Sequence, residues 1–121
     1  ALAVRSTRHD LNNAALSLVA LKRYDDAIKL YRQALKVPGD DNSKASILLN
    51  LGNAQVEKGE HTKAIQTLSK LTKLQPTYTI GVYSLGRACE AAGQHERALT
   101  QYQKAVALTP NFVAAYKNMA M

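Results

Sequence analysis

Residues 48–76 read LLNLGNAQVEKGEHTKAIQTLSKLTKLQP, and residues 82–110 read VYSLGRACEAAGQHERALTQYQKAVALTP. A shift of 34 residues lays Leu51 on Leu85, Gly52 on Gly86, Gly59 on Gly93, Ala64 on Ala98, Leu68 on Tyr102, Leu74 on Leu108 and Pro76 on Pro110. Small residues recur where two backbones must approach, large apolar ones where they fill gaps, and proline where a helix has to start afresh. A period of this length marks a solenoid of stacked helical hairpins, in which each unit buries its apolar face only against its neighbours.

Leu48, Leu51, Gly52 and Gln55 follow the i, i+3, i+4, i+7 spacing of one helical face. Lys58-Gly59-Glu60 interrupts that helix. Ala64, Ile65, Leu68, Leu71 and Leu74 form a second face, and Pro76 closes the unit. Helix, short turn and helix again predict an antiparallel hairpin. Upstream, Leu11, Ala14, Ala15 and Leu18 precede Ala27, Ile28, Tyr31 and Ala34, but here the offset is 37, as Ala15 to Gly52 and Ala27 to Ala64 show. The three extra residues are assigned to Val37–Asn42, a run rich in turn formers, as a loop insertion that leaves the stack intact. After Pro110 the pattern restarts with Phe112, Val113, Tyr116 and Met119. The predicted organisation is a flank at 1–7 that could end a preceding helix, then repeats at 8–44, 45–78 and 79–112. The first helix of a further repeat follows at 113–121.

Composition agrees with a folded all-α chain: 46% apolar and 21% charged residues argue against disorder. The single cysteine, Cys89, allows no internal disulfide, which suits a reducing compartment. No stretch approaches the ~20 apolar residues that cross a bilayer, so no membrane partner is expected. The chain does not begin with methionine and stops in mid-pattern, so it reads as a piece of a longer intracellular, most simply cytoplasmic, protein with further repeats.

These residues resemble the tetratricopeptide repeat. Ala14-Ala15, Leu51-Gly52 and Leu85-Gly86 match the paired positions of its first helix. Ala27, Ala64 and Ala98 match the small residue early in its second helix. Tyr31, Leu68 and Tyr102 match the large site that follows, and Pro76 and Pro110 match the closing proline. Gln55 departs from the pattern where a packed apolar residue or tyrosine is usual, as do His61 and His95 where tyrosine is common. The resemblance implies a right-handed superhelix, its first helices lining a concave groove and its second helices forming the outer wall. It also implies a scaffold that holds other proteins within a larger assembly.

Carried over position by position, the resemblance puts Asn12, Asn13 and Leu16 in the groove from the first unit, with His9, Val19 and Ala20 beside them. Leu49, Asn50, Asn53 and Val56 come from the second, with Ser46 and Glu57. Ile80, Tyr83, Ser84 and Arg87 come from the third, with Glu90, and Asn118 from the last helix, with Ala114 and Lys117. Asn13, Asn50 and Asn118 share one place in their repeats, with Ser84 in the remaining one. A carboxamide both donates and accepts, so such a ladder could grip the peptide groups of an extended chain, while Leu16, Leu49, Val56, Ile80 and Tyr83 would supply specificity. The same asparagines could instead bond neighbouring helices. The family's clamp for the C-terminal carboxylate of heat-shock chaperones needs two lysines, two asparagines and an arginine. Here Asn12, Leu16, Asn50, Ile80 and Ser84 stand at those places, and one repeat on, Leu49, Asn53, Ser84, Ala114 and Asn118. Chaperone binding of that kind is therefore not expected.

A net charge of +7 raises the question of nucleic acid. The basic residues gather on the outer helices, at Lys29, Arg32, Lys36, Lys63, Lys70, Lys73, Arg97 and Lys104, whereas Arg87 and Lys117 in the groove are offset by Glu57 and Glu90. Most aromatics occupy packing sites, which leaves few for base stacking. A solvated outer face is the simpler reading, and docking on nucleic acid or an acidic polymer is the alternative. A third possibility is a spacer within a longer protein. Catalysis has no sequence support. His61 and His95 lie one repeat apart as packing residues, Cys89 sits on an inward stripe without a base, and no phosphate loop, cofactor motif or metal-ligand cluster occurs.

Overall fold

The apolar stripes close into seven α-helices in the computed structural model, which describes residues 7–120, and no strand occurs among the described residues. The helices are α1 (Arg8–Ala20), α2 (Tyr24–Lys36), α3 (Asp41–Lys58), α4 (His61–Leu74), α5 (Thr79–Ala91), α6 (His95–Leu108) and α7 (Val113–Ala120). The reading of residues 1–6 as the end of a preceding helix lies outside the described residues. Thr7 itself is the N-cap of α1. Its hydroxyl accepts from the Asp10 amide at 3.1 Å, and the Asp10 carboxylate reaches back to the Thr7 amide at 3.4 Å, a capping box that satisfies two orphan donors.

Each hairpin turns the same way. The amides of Arg23, Glu60 and Gln94 bond back to the carbonyls of Leu18, Gln55 and Cys89 at 2.8, 2.8 and 2.9 Å. The residue before each adopts a positive φ: 61° at Lys22, 95° at Gly59 and 80° at Gly93. This is the glycine-terminated helix end, and in the first hairpin a lysine takes the glycine's place.

Packing alternates. α1 pairs with α2, α3 with α4 and α5 with α6, and α2 then packs on α3, α4 on α5 and α6 on α7. The odd-numbered helices also touch one another, α1 on α3 and α3 on α5, whereas no comparable packing joins α2 to α4 or α4 to α6. The odd helices therefore line the tighter, inner side of the stack. The core is a spine: Ala27, Ile28, Tyr31 and Leu51 bury one segment, and Leu48, Leu68, Leu71, Val82, Leu85 and Tyr102 the next, with Leu35 packed against both. A Cβ on Gly52 would stand 2.5 Å from Leu68, and one on Gly86 2.6 Å from Tyr102. That contact is what the recurrent small residue permits.

One expectation is corrected here. The extra residues between α2 and α3 are not a loop insertion, because α3 runs 18 residues against 13 for α1 and α5, and the connection is only Val37–Asp40. The inserted residues add a turn of helix. Asp40 caps it, its side chain accepting from the Ser43 amide at 2.8 Å, and Gln75 at the end of α4 donates to Asn42 at 2.8 Å. The Arg8 guanidinium of α1 donates to the carbonyls of Val37 and Asp40 and to the Ser43 hydroxyl, fastening the connection to the first helix.

Candidate functional site

The inner helices carry the candidate residues, and the structure divides them by what their polar atoms already touch. Asn50 on α3 donates its amide to the Asn12 carbonyl oxygen on α1 at 2.9 Å, and both side chains are half-buried. Asn118 on α7 donates to the hydroxyls of Tyr83 on α5 at 3.0 Å and Tyr102 on α6 at 3.2 Å. The Tyr102 hydroxyl in turn donates to Glu90 at 3.1 Å. Asn13 is exposed, and its amide lies 3.2 Å from the ring of His9 on its own helix. Ser84, their counterpart in the third repeat, is buried at 3% exposure and presents nothing to the groove.

The expected ladder of equivalent carboxamides is therefore not uniform. Asn50 and Asn118 tie neighbouring units together, Asn13 stands free of that role, and Ser84 is core. A carboxamide has two donor hydrogens and an acceptor oxygen. Asn118 has given both hydrogens to tyrosines, whereas Asn50 keeps one hydrogen and its oxygen, and Asn12 keeps its amide, outside any bond among the described residues.

The apolar residues predicted beside them differ in exposure. Leu16 and Ile80 are 43% and 45% exposed, and Leu49, Val56 and Tyr83 are half-buried. Tyr83 packs its ring against Phe112 at 5.1 Å and Tyr102 at 5.7 Å, so it is held rigidly. Asn53 is half-buried, and Arg87, Lys117 and Glu57 are exposed.

The network of Glu90, Tyr102, Asn118 and Tyr83 is invisible to repeat alignment, because its members come from three helices and occupy different places in their units. The only signal was the replacement of Leu68 by Tyr102 one repeat later. Burial, augmented by the Glu90 carboxylate and partly offset by Asn118, pushes the Tyr102 phenol up to about 12. Gln55 is explained similarly: buried at 2% exposure, it accepts from the Thr67 hydroxyl at 2.7 Å.

Of the two histidines read as packing residues, His61 is half-buried on α4 but His95 is exposed on α6. Cys89 is fully buried, and that burial pushes its thiol above the ordinary value, so little thiolate forms near neutrality. Among the described residues no cluster of His, Cys, Asp and Glu could hold a metal ion, and no helix is long and apolar enough to cross a membrane.

The sequence profile of the tetratricopeptide repeat matches residues 7–77, and a second profile of that repeat matches residues 49–111. The chain belongs to the tetratricopeptide repeat family, whose superhelical fold is a scaffold for protein–protein interaction and is generally not enzymatic. It is 33% identical over 82 residues to the TPR repeat-containing protein YpiA of Bacillus subtilis, matching 68% of this chain and 18% of that protein. It is 26% identical over 110 residues to the photosystem I assembly protein Ycf3 of Rippkaea orientalis, matching 79% of this chain and 64% of that protein. The chain thus spans less than two thirds of either relative. Among solved structures, YrrB, described as a TPR protein with an unusual peptide-binding site, superposes with a TM-score of 0.86. The overlap covers 98% of this chain and 60% of that one at 17% identity, a likeness of fold alone.

Proposed function

We propose that the concave face formed by α1, α3 and α5 binds an extended segment of a partner protein within a multi-protein assembly. The observation that carries this reading is the half-buried Asn12–Asn50 pair, which retains donor and acceptor capacity on the inner helices, where Leu16 and Ile80 are also exposed. A peptide laid there would meet amide groups for its backbone and apolar surface for its side chains, the combination that protein pockets use to orient and to select. A bond to Asn50 contributes only about 0.5–1.5 kcal/mol, so selectivity comes from the apolar residues beside it. The peptide-binding and assembly descriptions of YrrB and Ycf3 are in keeping with this use. Chaperone binding through a carboxylate clamp is not proposed, since Asn50 alone matches that pattern.

The test is a peptide-display selection on the folded chain at raised salt, with a library poor in acidic residues. Selected peptides are then titrated against Ile80→Lys, Asn50→Ala and Lys70→Gln. Binding abolished by Ile80→Lys, weakened up to about tenfold by Asn50→Ala and untouched by Lys70→Gln supports the groove. Equal binding to all four proteins refutes it.

A further inference from the structure

The outer wall carries a second candidate surface, separate from the groove. Because α2, α4 and α6 do not pack against one another, clefts open between them on the convex side. The cleft between α4 and α6, of about 430 Å³, is lined by Gln66, Ser69, Lys70, Lys73, Gln94 and Arg97 among others. The cleft between α2 and α4, of about 320 Å³, includes Arg32 and Lys63 and shares Gln66 and Lys70 with the first. The two clefts therefore adjoin along α4. No carboxylate lines either one.

Apart from Lys63, which Glu60 holds, the positive charge of this surface is not paired among the described residues. Acidic residues on the outer side stand at the starts of the helices: Asp26 pairs with Arg23, Asp25 with Lys58, and Glu60 with Lys58 and Lys63, whereas Glu96 on α6 makes no ion pair among the described residues and lines neither cleft. Helix α4 contains no acidic residue at all. Arg32, Lys70 and Lys73 make no ion pair among the described residues, and Arg97 is bonded only to the neutral Gln94. Lys73 in the last turn complements its own helix dipole, but Lys70 lies further inside α4, and Arg97 stands in the first turn of α6, where the dipole does not favour a cation.

We infer that these convex clefts form a docking surface for an acidic, extended polypeptide segment. Ammonium and guanidinium groups would meet its carboxylates, and the carboxamides of Gln66 and Gln94, with the hydroxyl of Ser69, would meet its backbone. From Thr62 to Lys73 the α4–α6 cleft follows the helix for roughly 17 Å, the length of about five extended residues. Nucleic acid is the weaker fit because no aromatic side chain lines either cleft to stack a base.

The experiment titrates the full chain with a fluorescent peptide of alternating glutamate and glycine, with its glutamine counterpart, and with single-stranded oligonucleotides of similar length. Variants are a triple Lys70→Gln, Lys73→Gln, Arg97→Gln and a control triple Lys22→Gln, Lys44→Gln, Lys117→Gln that removes equal charge elsewhere. Circular dichroism confirms that both fold, and the single Lys70→Glu variant stands in if the first triple does not. The glutamate peptide should bind, lose affinity steeply with salt, and weaken about tenfold in the convex triple but little in the control. Asn50→Ala should leave it unchanged, which separates this surface from the groove. No binding of the glutamate peptide, equal loss in both triples, or tighter binding of the oligonucleotides would each overturn the inference.

Discussion

At the scale of single residues, three tyrosines of this chain illustrate how context decides whether a polar atom helps. Tyr31 and Tyr102 occupy the same place in their repeats and are both buried, yet only Tyr102 has partners for its hydroxyl. The Tyr31 hydroxyl is buried with no partner among the described residues, and burial together with the Glu57 charge pushes it up to about 12. Tyr31→Phe should therefore leave the chain as stable as before or more so, because it removes an unsatisfied group. Tyr102→Phe should cost about 1–2 kcal/mol, since it strips partners from Glu90 and Asn118. Paired denaturant titrations read the difference, and equal losses would contradict the hydrogen-bond assignment. Tyr83, the third, is fixed by two aromatic contacts and the Asn118 amide. Lys22 offers an independent check. It holds a φ of 61° where the other two hairpins use glycine, so Lys22→Gly should stabilise by about 0.5–1 kcal/mol. A thermal melt should move up by about 2–5 °C, and a fall would mean that the lysine side chain makes a contribution the turn geometry does not reveal.

At the scale of helices, the junction before α3 shows what the residue pattern could and could not disclose. The repeat period located the hairpins because alanine and glycine must recur wherever helices approach closely, at Ala15, Gly52 and Gly86 and again at Ala27, Ala64 and Ala98. The fate of Val37–Asn42 was not legible. Turn-forming residues are also capping residues, and beside the local Asp40 cap the Arg8 and Gln75 contacts that hold this helix start come from distant parts of the chain. The Asp40 cap carries a pH signature. Bonds from the Ser43 amide and side chain, with a smaller contribution from Arg8, hold its carboxyl below the ordinary 3.8. Asp25 is lowered likewise, chiefly by its bond to Lys58. A carboxyl lowered on folding stabilises the fold above its unfolded-state value, and that stability is lost as pH falls through the folded-state value. Melting temperature should accordingly decline below about pH 4. Asp40→Asn retains a good cap and should match the parent at pH 7 while losing less on acidification. An identical acid profile for the two would remove Asp40 from the explanation.

At the scale of the molecule, the fold was readable but the use of its inner face was only half so. Sequence register put Asn12, Asn13, Asn50 and Asn118 on inner helices, yet whether an amide is spent on a neighbour or left for a ligand depends on atoms from other repeats. Asn118 is spent, Asn50 half spent, and Ser84 buried outright. What remains on the odd-numbered helices is the Asn12–Asn50 pair with the exposed Leu16 and Ile80, while the unpaired positive charge of Arg32, Lys70 and Lys73 lies on the even-numbered ones. The two faces differ in chemistry, one apolar and amide-bearing, the other basic, so one chain could hold two unlike partners at once.

The most direct test of the central claim is chemical-shift mapping of a display-selected peptide on the isotopically labelled chain. The largest changes should fall on the backbone amides of Asn12, Leu16, Asn50, Val56 and Ile80 and on the side-chain amide of Asn50, with α4 and α6 little affected. Changes confined to α2, α4 and α6, or to the end formed by α6 and α7, would contradict it and place the binding site elsewhere on the solenoid.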